Sequence, residues 1–215
     1  RVLVYDLDGR YLREIGGPND ILRPSGVAAN PDGQRIYVVE TGGVQSQNHT
    51  LYVYDAQSGK RLKTIGKRGA EAGEFNIPLQ AAVAKDGTVY VVDSGNFRVQ
   101  SFDSNGKFLT SFGSIGKKSG QFSRPKGIAV DGNGHVYVID TGFGNFQIFN
   151  SEGKLLLFVG ERSEKPGPGN FMLPAGIDVD QDGRVYVVDQ FFRKVDVFRP
   201  ADLKPDLGYT VQVKK

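Results

Sequence analysis

Val136-Tyr137-Val138-Ile139-Asp140 is one of four near-copies of a single segment; the others are Ile36-Tyr37-Val38-Val39-Glu40, Val89-Tyr90-Val91-Val92-Asp93 and Val185-Tyr186-Val187-Val188-Asp189. They begin 53, 47 and 49 residues apart. A fixed period of this size settles the architecture before any single element is assigned. Upstream of each copy a proline opens a short apolar run (Pro24, Pro78, Pro125, Pro174), and a glycine turn follows it (Asp32-Gly33, Asp86-Gly87, Asn133-Gly134, Asp182-Gly183). Glycine at such turns supplies the positive φ that a hairpin needs. Downstream comes a third run such as Arg98-Val99-Gln100-Ser101-Phe102-Asp103, a turn at Asn105-Gly106, and a fourth run ending in Phe112-Gly113. The unit therefore reads as four antiparallel strands, A to D. No helical period is present, and the B strands are apolar almost throughout, as strands covered on both faces are. This is the pattern of an all-β fold, a β-propeller of four-stranded antiparallel blades.

The opening residues keep the same register, because Arg1-Val2-Leu3-Val4-Tyr5-Asp6 matches the third strand at Arg98 and Ile15-Gly16 matches Phe112-Gly113. The propeller is expected over residues 1–199, as a partial unit 1–16 and blades 17–66, 67–113, 114–160 and 161–199. Residues 200–215 form a tail, in which Tyr209-Thr210-Val211-Gln212-Val213 alternates like a closing strand. About four and a half to five blades are expected here, with further blades upstream and an open blade face on the isolated chain.

Composition narrows the chemistry. The 215 residues carry 27 Lys+Arg against 24 Asp+Glu, a net charge of +3, with no Cys and only His49 and His135. A disulfide, a Cys-ligated zinc, a c-type haem, a Cys nucleophile and a three-histidine metal site are excluded within this chain. The 29 glycines are about twice the usual ~7%, in keeping with many turns. No apolar run is long enough to span a membrane. The mild positive charge is too small to imply a nucleic-acid partner. No nucleophile elbow or phosphate-binding glycine loop is present, and no cofactor is expected.

Gly73-Glu74-Phe75-Asn76-Ile77-Pro78, continued by Val89 to Asp103, resembles the NHL repeat, and Gly120-Gln121-Phe122-Ser123-Arg124-Pro125-Lys126-Gly127-Ile128-Ala129-Val130-Asp131 resembles its first half more closely still. The resemblance spans residues 1 to about 199. It implies a six-bladed propeller in the full protein. It also implies several function classes: RNA-binding domains, protein-interaction and sensor domains, a metal-dependent amidating lyase and, in related folds, hydrolases. Phe171-Met172-Leu173-Pro174-Ala175-Gly176-Ile177 with Val188 to Arg193 is similar to bacterial NHL-repeat proteins encoded beside multihaem cytochromes. That likeness favours a periplasmic or extracellular setting over the cytoplasm, and it places any haem on a partner.

Candidate residues fall where B–C and D–A loops share one face. The B–C loops carry Phe97, Phe143, Phe191 and Phe192 beside Arg98, Arg193 and Lys194; the D–A loops carry Lys67, Arg68, Lys117, Lys118, Arg124, Arg162 and Lys165 among interspersed acids. Aromatic and basic side chains in loops are the composition of interface hot spots, so Phe97, Phe143, Phe191, Phe192, Arg193, Lys117 and Lys118 are expected to bind a protein partner. Phe75, Phe122 and Phe171 recur at one place in each unit and are expected to pack. The first complete blade has a longer B–C loop, Glu40 to Thr50, containing His49. Asp178-x-Asp180-x-Asp182-Gly183-x5-Asp189 imitates calcium-loop spacing, but the strand frame separates its ends. Asp178 stands where other units have Ala28, Ala82 and Ala129; it is the weak metal candidate, facing the central channel. The carboxylates ending strand B (Glu40, Asp93, Asp140, Asp189) are expected to stabilise turns. Together these features point to a non-catalytic protein-binding propeller, with a metal-dependent lyase or hydrolase and an RNA-binding domain as alternatives.

Overall fold

The computed structural model describes residues 1–43 and 45–201. It is all-β, apart from one 3-10 turn at Ser94–Asn96. A two-stranded pair, β1 (Val2–Tyr5) and β2 (Tyr11–Ile15), precedes four antiparallel blades. The first holds β3 (Pro24–Ala29), β4 (Arg35–Glu40), β5 (Thr50–Asp55) and β6 (Arg61–Ile65). The second holds β7 (Pro78–Val83), β8 (Val89–Asp93), β9 (Arg98–Phe102) and β10 (Phe108–Phe112), and the third β11 (Pro125–Val130), β12 (Val136–Asp140), β13 (Asn145–Phe149) and β14 (Leu155–Val159). A short parallel pair, β15 (Glu161–Arg162) and β16 (Asn170–Phe171), leads into the fourth blade of β17 (Pro174–Val179), β18 (Val185–Asp189) and β19 (Lys194–Phe198). Each strand pairs with its sequence neighbour, and the innermost strands β3, β7, β11 and β17 lie side by side. The closing strand expected at Tyr209 to Val213 lies outside the described residues.

Two-residue alternation in the B strands builds the core. Tyr37 and Val39 point to the second blade, where they meet Ala81, Val89, Val91 and Phe102. Tyr90 and Val92 point to the third and meet Ile128, Val136 and Val138. Tyr137 and Ile139 then meet Phe171, Val185 and Val187 of the fourth. Each strand is thus covered on both faces, which explains its unbroken apolar sequence. On the outward faces of the two terminal sheets the matching positions, Tyr5 and Tyr11 at one end and Val188, Val195 and Val197 at the other, are exposed.

Phe75, Phe122 and Phe171 are 0% exposed, and burying a side chain of this size stabilises by about 2–3 kcal/mol. Each ring lies against a glycine that ends the preceding strand D. A Cβ on Gly66, Gly113 or Gly160 would come within 2.5, 2.4 or 2.6 Å of the ring, and all three have positive φ. Glycine is required there on both counts. Asp178 corrects the expectation of a channel-facing carboxylate. Its counterparts Ala82 and Ala129 pack toward the following blade, so Asp178 sits on the exposed outer face of the fourth blade and bonds the Val179 N–H at 2.9 Å.

The A–B turns of the last two blades are built on aspartates. Asp131 accepts from the N–H groups of Asn133 and His135 at 2.9 Å, from His135 Nδ1 at 2.9 Å and from Tyr137 Oη at 3.0 Å. Asp180 likewise accepts from the Asp182 and Arg184 N–H groups, Arg184 Nη1 and Tyr186 Oη at 2.8–2.9 Å. Desolvation pushes its carboxyl up, but these donors outweigh it and hold the group down, from 3.8 to about 2. A carboxyl depressed in the folded state contributes stability above its unfolded pKa and loses it as pH falls through the folded value. Asp180→Asn is therefore expected to lose less melting temperature than the parent between about pH 4 and about pH 2. Calorimetry across that range checks it.

Candidate loop-face site

The B–C and D–A loops are held by the carboxylate that ends each B strand. Asp140 accepts from the backbone N–H groups of Ser123 (2.6 Å) and Arg124 (3.1 Å) in the D–A loop, and from Gly142 (2.8 Å) and Phe143 (3.0 Å) in the B–C loop. Asp189 does the same with Met172, Leu173, Phe191 and Phe192 at 2.7–3.2 Å. Glu40 takes Leu22, Arg23 and Gly42. Asp93 takes one backbone N–H, Asn76, and three side-chain donors, Asn96 Nδ2, Arg98 Nε and Gln100 Nε2. All four are buried. Desolvation dominates at Asp93 and raises its carboxyl. Asp189 is also pushed up by desolvation, yet its four backbone donors outweigh that and hold it below the ordinary range.

This scaffold decides how each expected binding residue is presented. Phe191 is 54% exposed and meets Phe192 edge to face, with centroids 5.3 Å apart. Arg193 beside them is exposed and adopts φ of 54°. The equivalent left-handed positions are Phe97, φ 56°, and Gly144, φ 66°. That backbone turns Phe97 back onto the core between the second and third blades, so it packs and leaves the displayed set. Phe143 is half-buried and lines a cavity of about 230 Å³ with Lys117, Lys118, Asn145 and Phe158. The loop cations are partly neutralised, since Lys67 pairs with Glu74 at 3.3 Å.

The long B–C loop of the first blade is tied down. His49 is 1% exposed; its Nδ1 accepts the Ile77 N–H at 3.0 Å and its Nε2 lies 3.3 Å from the Gly43 carbonyl, which fits an Nε2–H donor. Ile77 has φ of 51°, a costly conformation for a β-branched residue, and the histidine bond stabilises it. His49 is therefore a cross-blade brace.

Two of the further cavities lie near the turns and inner strands, beyond the reach of sequence reasoning. One of about 580 Å³ lies at the A–B turns of the third and fourth blades, where Asp131 and Asp180 are already engaged. The other, about 280 Å³, opens along the innermost strands at Gln80, Lys126, Gly127 and Gly176. Gln80 replaces the glycine found at that strand position in the other blades, a departure visible by alignment of the repeats. Among the described residues no three His, Asp or Glu side chains converge as metal ligands. Removing Asp140 strands four N–H donors, so Asp140→Ala is expected to destabilise by about 2–4 kcal/mol and Asp140→Asn by less. Urea denaturation with unchanged m-value is the check.

Residues 75–102 and 122–149 match the NHL repeat. The chain is 44% identical to the E3 ubiquitin-protein ligase TRIM32 of Homo sapiens over 41 residues, which is 19% of this chain and 6% of that protein. A functionally unknown protein from Desulfotomaculum acetoxidans aligns with TM-score 0.61 and 21% identity over 92% of this chain and 57% of its own. Hydrazine synthase from Kuenenia stuttgartiensis aligns with TM-score 0.57 and 16% identity over 87% and 52%. The chain thus spans about half of these solved chains and a small part of the human ligase. At such identities the likeness to solved structures is one of fold. The two middle blades thus match the NHL repeat, and the chain is all-β with its antiparallel sheets in a β-propeller arrangement.

Proposed function

We propose that the B–C and D–A loop face binds another protein and that the chain is a non-catalytic scaffold. The observation that carries this reading is the exposed Phe191, packed edge to face with Phe192 beside exposed Arg193, with both phenylalanine N–H groups pinned by Asp189. Aromatic anchors on a backbone already held in place bury large area at small entropic cost. Phe143, with Lys117 and Lys118, forms a second anchor on the adjacent blade. The strand-end carboxylates of this face spend their acceptors on loop donors, which suits support better than proton transfer. Propellers of this kind are common interaction scaffolds. The likeness of the last blade to bacterial proteins encoded beside multihaem cytochromes suggests such a cytochrome as partner in an exported assembly, with six blades in the whole protein.

The test is purification of the full-length protein from its source at gentle salt, with identification of co-eluting proteins and analysis of bound metal. A stoichiometric protein partner is expected, and Phe143→Ala with Phe191→Ala should weaken its binding at least about tenfold while the melting temperature holds. A partner-free protein with a tightly held metal would replace this reading with the lyase or hydrolase class. Retention on RNA that falls steeply with salt would replace it with the RNA-binding one.

A further inference from the structure

Arg98, Asn145 and Lys194 occupy one position, the first of strand C, paired in register with Asp93, Asp140 and Asp189. Glu71, Lys118 and Gly167 likewise share one place, two residues before a D–A glycine. Their carbonyls each accept one turn N–H, from Glu74 (3.0 Å), Gln121 (3.0 Å) and Asn170 (3.1 Å). A carbonyl oxygen has a second lone pair. In the second blade Arg98 Nη2 takes it at 2.9 Å, and in the fourth Lys194 Nζ takes it. Lys194 Nζ also lies 4.9 Å from the Phe171 ring and 5.8 Å from that of Phe192. In the third blade the carbonyl remains, and Phe143 stands where Phe192 does, but the cation is missing. Asn145 is too short to replace it, and its Oδ1 is buried without a hydrogen-bond partner. The cavity of about 230 Å³ opens at this place, walled by Asn145, Phe143 and Phe158.

We propose that this cavity takes the guanidinium of an arginine from the protein partner, which restores in trans the cation that the other two blades supply in cis. The group donates to the Lys118 carbonyl and stacks on Phe143, and Asn145 turns its amide to present Oδ1, buried in this structure, as a second acceptor. Guanidinium suits it because it is weakly hydrated, planar and rich in donors. Lys117 and Lys118 are exposed at the rim and leave the place unfilled. Their charge opposes an incoming cation, so it fixes the sign of a decisive control. The inference rests on the proposed protein-binding role only for where the arginine comes from.

The experiment titrates the nitrogen-15-labelled chain with N-acetylarginine N-methylamide and follows backbone amides by NMR. Saturable shifts at Lys118, Phe143 and Asn145 are expected, with the neutral citrulline analogue at least about tenfold weaker. Asn145→Arg should abolish the response by filling the cavity from within, as Arg98 does, and Asn145→Lys serves if that variant fails to fold. Removing both rim charges by Lys117→Ala with Lys118→Ala should tighten binding about threefold. No saturable shift, an unchanged response in the filled variants, equal binding of citrulline, or loss of binding on removing the lysines would overturn the proposal. If the co-purified partner is held through Phe191 while the capped arginine does not bind, this inference fails and the scaffold reading stands. If the capped arginine binds but the partner's affinity is the same for Asn145→Arg, the partner does not supply the arginine and the proposal falls in that respect.

Discussion

A carboxylate buried at the end of each B strand is the constraint on which the loop face depends. An unpaired charge in that position would cost several kcal/mol, so the two loops that flank it must fold their donors inward. Asp140 and Asp189 do so with four backbone N–H groups each. The loops are thereby shaped by an acceptor beneath them, and their outward side chains are free to vary. Asp93 solves the same problem with three side chains and one backbone donor. Its loop accordingly carries Asn96 and Arg98 where the third blade carries Phe143 and Asn145.

The second constraint is the seam between blades. Each of the first three B strands divides its side chains between two neighbours, and the ring of Phe75, Phe122 or Phe171 closes one corner of each seam between the four blades against a glycine. Seam and carboxylate meet at the start of strand A, where Pro24, Pro78, Pro125 and Pro174 pair with Glu40, Asp93, Asp140 and Asp189. Loop geometry is therefore transmitted from the core through a hydrogen-bonded corner in every blade, and in the second and third also through buried Gln100 and Gln147, which brace the D–A loops.

The repeat made the strands, turns and packing phenylalanines legible, because each is specified by residues that recur in step. What was hidden depended on direction and depth. Asp178 is conspicuous beside three alanines, but which face of strand A those alanines occupy follows from blade packing alone, and it is the seam face. Phe97 reads as a displayed aromatic until its left-handed backbone, shared with Gly144 and Arg193, turns it inward. His49 looks like a loop residue of the long insertion; its burial comes from Ile77, a residue of the next blade. Asn145 carries no signal of its own, because an asparagine at the edge of a loop needs no explanation; its significance appears only against Arg98 and Lys194 in register.

The pairing of every long strand with its neighbour in sequence has a kinetic meaning. Each ladder within a blade closes over a short loop, so a blade can order from local contacts, and its free face then offers a template on which the next one docks. Ordering can proceed along the chain as it emerges during synthesis. The strand-end carboxylates bond loops on both sides of their own blade, such as Ser123 before Asp140 and Gly142 after it, so each acts as a local lock that needs no distant segment to engage.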